Sequence, residues 1–143
     1  MVVLDILQDT DTGFVNAISE VVAWKYLWRH EHIFCVGLST RIPFAGTWSS
    51  SSKDLCKGLG RQQIDYLNYL FRSERVFDYL GCLRGKNRFL YLIEVKTARR
   101  RKFPGTRKRA DEISKAKSLG FVPLRVYVRY LDNWKFGITC RKS

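Results

Sequence analysis

The chain predicts an α/β domain with a central mixed sheet flanked by helices. Three observations carry that expectation. Residues 89–95 form an almost continuous apolar run, as in a strand covered on both faces. A second apolar run precedes it across Arg84-Gly85-Lys86-Asn87, a Gly-containing turn, so the two read as a hairpin. Helical periodicity recurs before, between and after such strands. At 143 residues, 45% hydrophobic and 14% aromatic, the chain suits one folded domain spanning 1–143 rather than a disordered tail.

Asp9-Thr10-Asp11-Thr12 is a capping stretch, and a helix is expected from Gly13 to about Arg29. Phe14, Ala17, Ile18, Val21, Trp24 and Trp28 recur at three- and four-residue steps and define its expected apolar face. Glu20 falls on the edge of that face, within reach of the end of a sheet. Ile33 to Leu38 reads as the first strand. Residues 39–74 read as an inserted loop and helix. Its Ser- and Gly-rich part runs to Gly60, with one helical turn near Lys53 to Lys57. Arg41, Trp48 and Lys53 are candidates there to touch a substrate. Arg61 to Ser73 follows as a helix with Ile64, Leu67, Leu70 and Phe71 inward, and Tyr66, Tyr69 and the two glutamines outward.

The hairpin carries the chemistry. Its second strand ends in Glu94-Val95-Lys96, and its first carries Asp78. The two-residue period of a strand puts Glu94 and Lys96 on one face, and hairpin pairing brings Asp78 beside Glu94. Two half-buried carboxylates need compensation, which a hard divalent cation with oxygen ligands supplies. Lys96 is then placed to orient or help deprotonate a water, an arrangement suited to metal-assisted hydrolysis.

After this site, Ala98 to Ser118 holds Arg99, Arg100, Arg101, Lys102, Arg107, Lys108, Arg109, Lys115 and Lys117 against Asp111 and Glu112. That net +7 is more than half of the chain's +13. A basic run of this kind neutralises phosphates, so these arginines and lysines are expected to bind nucleic acid. Phe103-Pro104-Gly105 breaks the run, making Arg99–Lys102 a loop. A helix from Arg107 to Leu119 stops at Gly120, a strand runs from Phe121 to Tyr130 with Val122, Leu124, Val126 and Val128 on one side, and Asp132-Asn133 turns into a last strand, Trp134 to Cys140.

An acidic residue on one strand followed by Glu-x-Lys on the next resembles the PD-(D/E)XK nuclease superfamily. Asp78, Glu94 and Lys96 take its three positions, with Phe77 where the family has proline. The first helix and residues 76–140 look most like the small archaeal Holliday-junction resolvases and related archaeal viral nucleases. The resemblance implies a restriction-endonuclease-like core in a single nuclease domain. It also implies Mg²⁺ or Mn²⁺ held by Asp78, Glu94 and the Val95 carbonyl, with Glu20, the matching helix glutamate, completing the site. The implied activity is endonucleolytic hydrolysis of DNA, branched DNA above all, by a homodimer in an intracellular, archaeal or archaeal-viral setting. The 39–74 insert departs from those relatives and bears on the substrate. Restriction-like, homing, viral replication and RNA endonucleases share the same site and stay open as alternatives. So does a basic nucleic-acid-binding protein in which Asp78, Glu94 and Lys96 are only a salt-bridge cluster.

Other classes find less support. No run approaches a membrane span, and Met1 to Leu7 is too short for a signal peptide. Cys35, Cys56, Cys82 and Cys140 lack Cys-x-x-Cys spacing and are expected to be reduced thiols. His30 and His32 sit together without a partnered nucleophile and suit a helix C-terminus, and no P-loop pattern occurs.

Overall fold

A computed structural model describes residues 12–39, 45–73, 76–98, 107–131 and 135–143. Its elements run α1 (Thr12–Tyr26), a π-helical turn (Leu27–Glu31), β1 (Ile33–Gly37), α2 (Lys53–Cys56), α3 (Arg61–Ser73), β2 (Tyr79–Leu83), β3 (Phe89–Ala98), α4 (Arg107–Ser118), β4 (Val122–Tyr130) and β5 (Phe136–Lys142). The five strands form one mixed sheet in the order β1-β2-β3-β4-β5. β1, β2 and β3 pair antiparallel, β3 and β4 pair parallel across the α4 crossover, and β5 returns antiparallel to β4. The expected α/β class and mixed sheet are therefore present.

Strand alternation divides the core in two. On one face Ile33, Cys35, Tyr79, Ile93, Leu124, Val126 and Val128 pack against Ala23 and Leu27 of the first helix. On the other, Val36, Leu80 and Leu92 pack against Tyr66, Leu67 and Leu70 of α3 and Ala116 of α4. β3 lies between helices on both faces, which is why its sequence is nearly all apolar. Among the described residues no helix is long and apolar enough to cross a membrane.

Several expectations need correction. The buried stripe of the first helix is Ser19, Ala23 and Leu27, while Ala17, Val21 and Trp28 are exposed. Small side chains let the helix approach the sheet closely, so packing selected a face that apolar counting misplaces. Phe14's side chain lies outside the described ones. Tyr66 faces inward rather than outward, because its ring fills the α3–α4 contact and its hydroxyl donates to Glu112 Oε2 at 2.7 Å. Gln63 likewise turns in, donating to the Leu119 carbonyl at 2.9 Å. The last strand begins and ends two residues later than expected.

The insert is part of the core. Trp48 N–H donates to the Gly37 carbonyl at 2.8 Å, extending the pairing beyond β1. Trp48 itself is buried with its indole Nε1 donating to Asn68 Oδ1 at 2.9 Å, so it does not face a substrate as expected. Lys53 is exposed and opens α2, whereas Arg41 lies outside the described residues.

Candidate functional site

Asp78 sits just ahead of β2, not within it. Its N–H donates to the Ile93 carbonyl at 2.8 Å and its carbonyl accepts from Leu38 N–H at 2.9 Å, so the ladder continues one residue past the strand. There β2 peels from β3. The next β3 amide, Val95 N–H, donates to Asp78 Oδ2 at 2.7 Å instead of to backbone. A carboxylate thus satisfies a main-chain donor at the fork of the sheet.

The β2–β3 ladder ends at the pair Tyr79↔Ile93, with Asp78 and Glu94 each the next residue beyond it, and past the fork β3 continues beside β4 alone. Glu94 is only 4% exposed. Lys96 Nζ lies 3.2 Å from Glu94 Oε1, and Arg125 Nη2 lies 3.7 Å from Oε2. Burial nevertheless pushes the Glu94 carboxyl above its ordinary range, although Lys96 and Arg125 both pull it down. The two local cations do not fully offset its desolvation.

Arg125 was not among the expected site residues. The parallel pairing Glu94↔Arg125 puts it directly opposite the glutamate. Its Nη1 donates to the Tyr127 hydroxyl at 2.7 Å, while Nε and Nη2 are buried without a hydrogen-bond partner among the described residues. The signal was present in β4: if Val122, Leu124, Val126 and Val128 share one face, Arg125 and Tyr127 share the other.

Glu20 lies on the other side of the sheet. α1 packs on the Tyr79–Ile93 face, whereas alternation sends Glu94 and Lys96 to the face of Leu92. Tyr79 lies on the α1 face. It is fully buried, its hydroxyl donates to the Glu20 carbonyl at 2.7 Å, and burial followed by the Glu20 and Asp78 charges holds its pKa far up. The structure thus joins Asp78 to Val95, Glu94 to Lys96 and Arg125, and Glu20 to Tyr79. Among the described residues no three His, Cys, Asp or Glu side chains gather closely enough to hold a metal ion. Asp78 and Glu94 are both hard-oxygen donors of the kind Mg²⁺ takes with waters completing its shell.

No protein-family model matches the chain. No curated protein and no solved structure matches it either. The site is therefore read from its own residues. Of the basic stretch, Arg99, Arg100, Arg101 and Lys102 lie outside the described residues, as do the side chains of Arg107, Lys108 and Arg109 at the start of α4. α4 follows β3 directly in the chain and returns it to β4, so that charge belongs to the connection leaving Lys96.

Proposed function

We propose that the chain is a metal-dependent endonuclease of the PD-(D/E)XK kind, with a restriction-endonuclease-like core and branched DNA as its favoured substrate. The observation that carries this reading is Glu94: a carboxylate buried at the sheet fork where the ladder passes Asp78, and 3.2 Å from Lys96. Burying a charge there is costly and builds no core, which suits a working group better than a structural one. With the inserted α2 and α3 set aside, the order helix, strand, strand, strand, helix, strand, strand supports the same reading.

In this proposal Asp78, Glu94 and the Val95 carbonyl would hold Mg²⁺ or Mn²⁺, with Glu20, carried on the opposite face beside Tyr79, contributing only through water at the fork. The metal, when bound, makes its water acidic and neutralises phosphate charge. Lys96, partly exposed on the same face as Glu94, orients the attacking water and faces the charge that develops on the phosphate. Arg125 and Tyr127 hold Glu94 in place from β4. Val95 N–H fixes the Asp78 carboxylate in one orientation. The basic stretch 99–109 follows the phosphate backbone. A homodimer would cut two strands symmetrically.

A second reading takes the Glu94–Lys96–Arg125 contacts as a structural ion cluster in a binding protein without catalysis. The two separate in one experiment. A labelled four-way junction is incubated with Mg²⁺, Mn²⁺ or EDTA, beside linear duplex, single-stranded DNA and RNA. Paired symmetric cuts are expected, abolished by EDTA and reduced about 10²- to 10⁴-fold by Lys96→Ala. Metal-dependent cutting of linear DNA or RNA would keep the mechanism and remove the junction preference. Binding without cleavage of any substrate, unaffected by Glu94→Ala, would overturn the enzyme.

A further inference from the structure

At the turn end of the β2–β3 hairpin, the π-helical turn after α1 brings an aromatic pair to the surface. Trp28 is 39% and Phe34 42% exposed, and their rings meet edge to face with centroids 6.0 Å apart. Arg84 lies over the Trp28 ring, 4.5 Å from its centroid. The backbone is shaped to make this group. The turn widens to π geometry and closes at His32, a non-glycine residue at φ 57, whose N–H donates to the Leu27 carbonyl. The His32 carbonyl in turn accepts from Arg84 N–H at 2.7 Å, tying the turn to the hairpin. π turns and left-handed non-glycine residues cost stability and concentrate at working surfaces.

Exposed cations neighbour this patch in the chain: Arg84 over the Trp28 ring, Arg29 next to Trp28, Lys86 in the hairpin turn, and Arg88 after it with its side chain against Gly58. Arg29, Arg84, Lys86 and Arg88 are all exposed, and none forms an ion pair with a described residue. The neighbouring acid, Glu31, accepts the Tyr26 hydroxyl at 2.8 Å. Two partly exposed rings, one with Arg84 over it and the other edge-on to Phe89, with further cations near them in the chain, match a strand that carries a base and a phosphate at every step. A second copy of this chain would set the same four cations against themselves.

We propose that Trp28 and Phe34, with Arg84, Lys86, Arg88 and Arg29, form a second nucleic-acid contact, a stacking platform for unpaired bases of single-stranded nucleic acid. Phe89 to Glu94 spans about 17 Å of extended strand, so this contact lies well away from the Glu94 site. It does not depend on that site being catalytic. In a cleavage reaction it holds a single-stranded portion of the substrate while the fork end of the sheet meets the backbone to be cut.

The test is fluorescence anisotropy in EDTA, using a short labelled oligothymidine and an equal-length abasic strand with the same number of phosphates. Wild type is expected to bind the thymidine strand more tightly than the abasic one. Trp28→Ala and Phe34→Ala should each weaken thymidine binding about 5- to 150-fold and leave abasic binding unchanged. Trp28→Phe should retain most of the affinity, and Arg84→Gln should weaken both strands. Equal binding of the two strands by wild type overturns the platform without recourse to any variant. So does undiminished thymidine binding by folded Trp28→Ala, or a dimer in sedimentation that Trp28→Ala dissociates. Because no cleavage is read, failure here leaves the nuclease proposal untouched, and absence of nuclease activity leaves this inference standing.

Discussion

At the scale of single residues, Glu94 is where the fold bears its clearest electrostatic cost. A carboxyl whose pKa is raised by folding binds its proton more tightly in the native state than in the unfolded one. Its contribution to stability therefore falls as pH rises through and above the ordinary value of 4.5. Below that value the acid is neutral and closely resembles an amide. Glu94→Gln should consequently match the wild type in thermal melting at acid pH and gain on it as pH approaches neutrality. The contacts to Lys96 and Arg125 work against that gain, but burial outweighs both. The check is the difference in melting temperature between the two proteins across the acid-to-neutral range. A difference that does not change with pH would mean that the lysine and arginine fully compensate the buried charge. The same variant should lose the proposed cleavage, linking the cost in stability to function.

At the scale of elements, the hairpin that carries the site depends on the one small residue in β2. A Cβ built on Gly81 would lie 2.6 Å from Ile33 Cγ2, 3.0 Å from Ile93 Cδ1 and 3.3 Å from Tyr91 Cβ, beside a register irregularity in the β2–β3 ladder. Gly81→Ala should cost about 1–3 kcal/mol, read as a melting temperature lowered by roughly 2–10 °C. A variant melting with the wild type would show that β1 and β3 yield there. This close approach was invisible in the chain, and the reason is general. Period and punctuation revealed each strand and helix and several of the boundaries, including α3 to the residue, the hairpin turn and the stop at Gly120, whose φ of 88 suits glycine. What they did not reveal was which surfaces meet. The first helix buries Ser19 and Ala23 because small residues permit contact, and Trp48 enters the core from a Ser-rich loop. Arg125 reaches Glu94 only through the parallel register of strands separated by a helix. The neighbourhood of Asp78, Glu94 and Lys96 in the sheet was legible because one hairpin sets their spacing; the contacts of Arg125 and Tyr79 were not, because their partners come from elsewhere in the sheet or on α1.

At the scale of the whole molecule, the net charge of +13 lets electrostatic attraction dominate any encounter with nucleic acid. Two contributions to affinity are then separable by salt. Each phosphate neutralised on duplex DNA adds about 0.9 to the slope of log affinity against log salt, whereas base stacking adds almost nothing. Replacing Arg99, Arg100, Arg101 and Lys102 together by glutamine removes four of the chain's 26 basic residues, all from the connection after β3. If each meets a phosphate, the slope should fall by up to about 3.6, with affinity lost most strongly at low salt. Trp28→Ala, in contrast, should lower affinity for a single strand by a similar factor at every salt concentration and keep the slope of the wild type. Titrations of both variants over a salt series, in EDTA so that nothing is cut, give the two slopes directly. An unchanged slope in the glutamine variant would move the phosphate path away from the 99–102 stretch. The exposed cations Arg129 of β4 and Arg141 of β5 would then be the next to neutralise, since strand alternation and register put both on the face that carries Glu94 and Lys96.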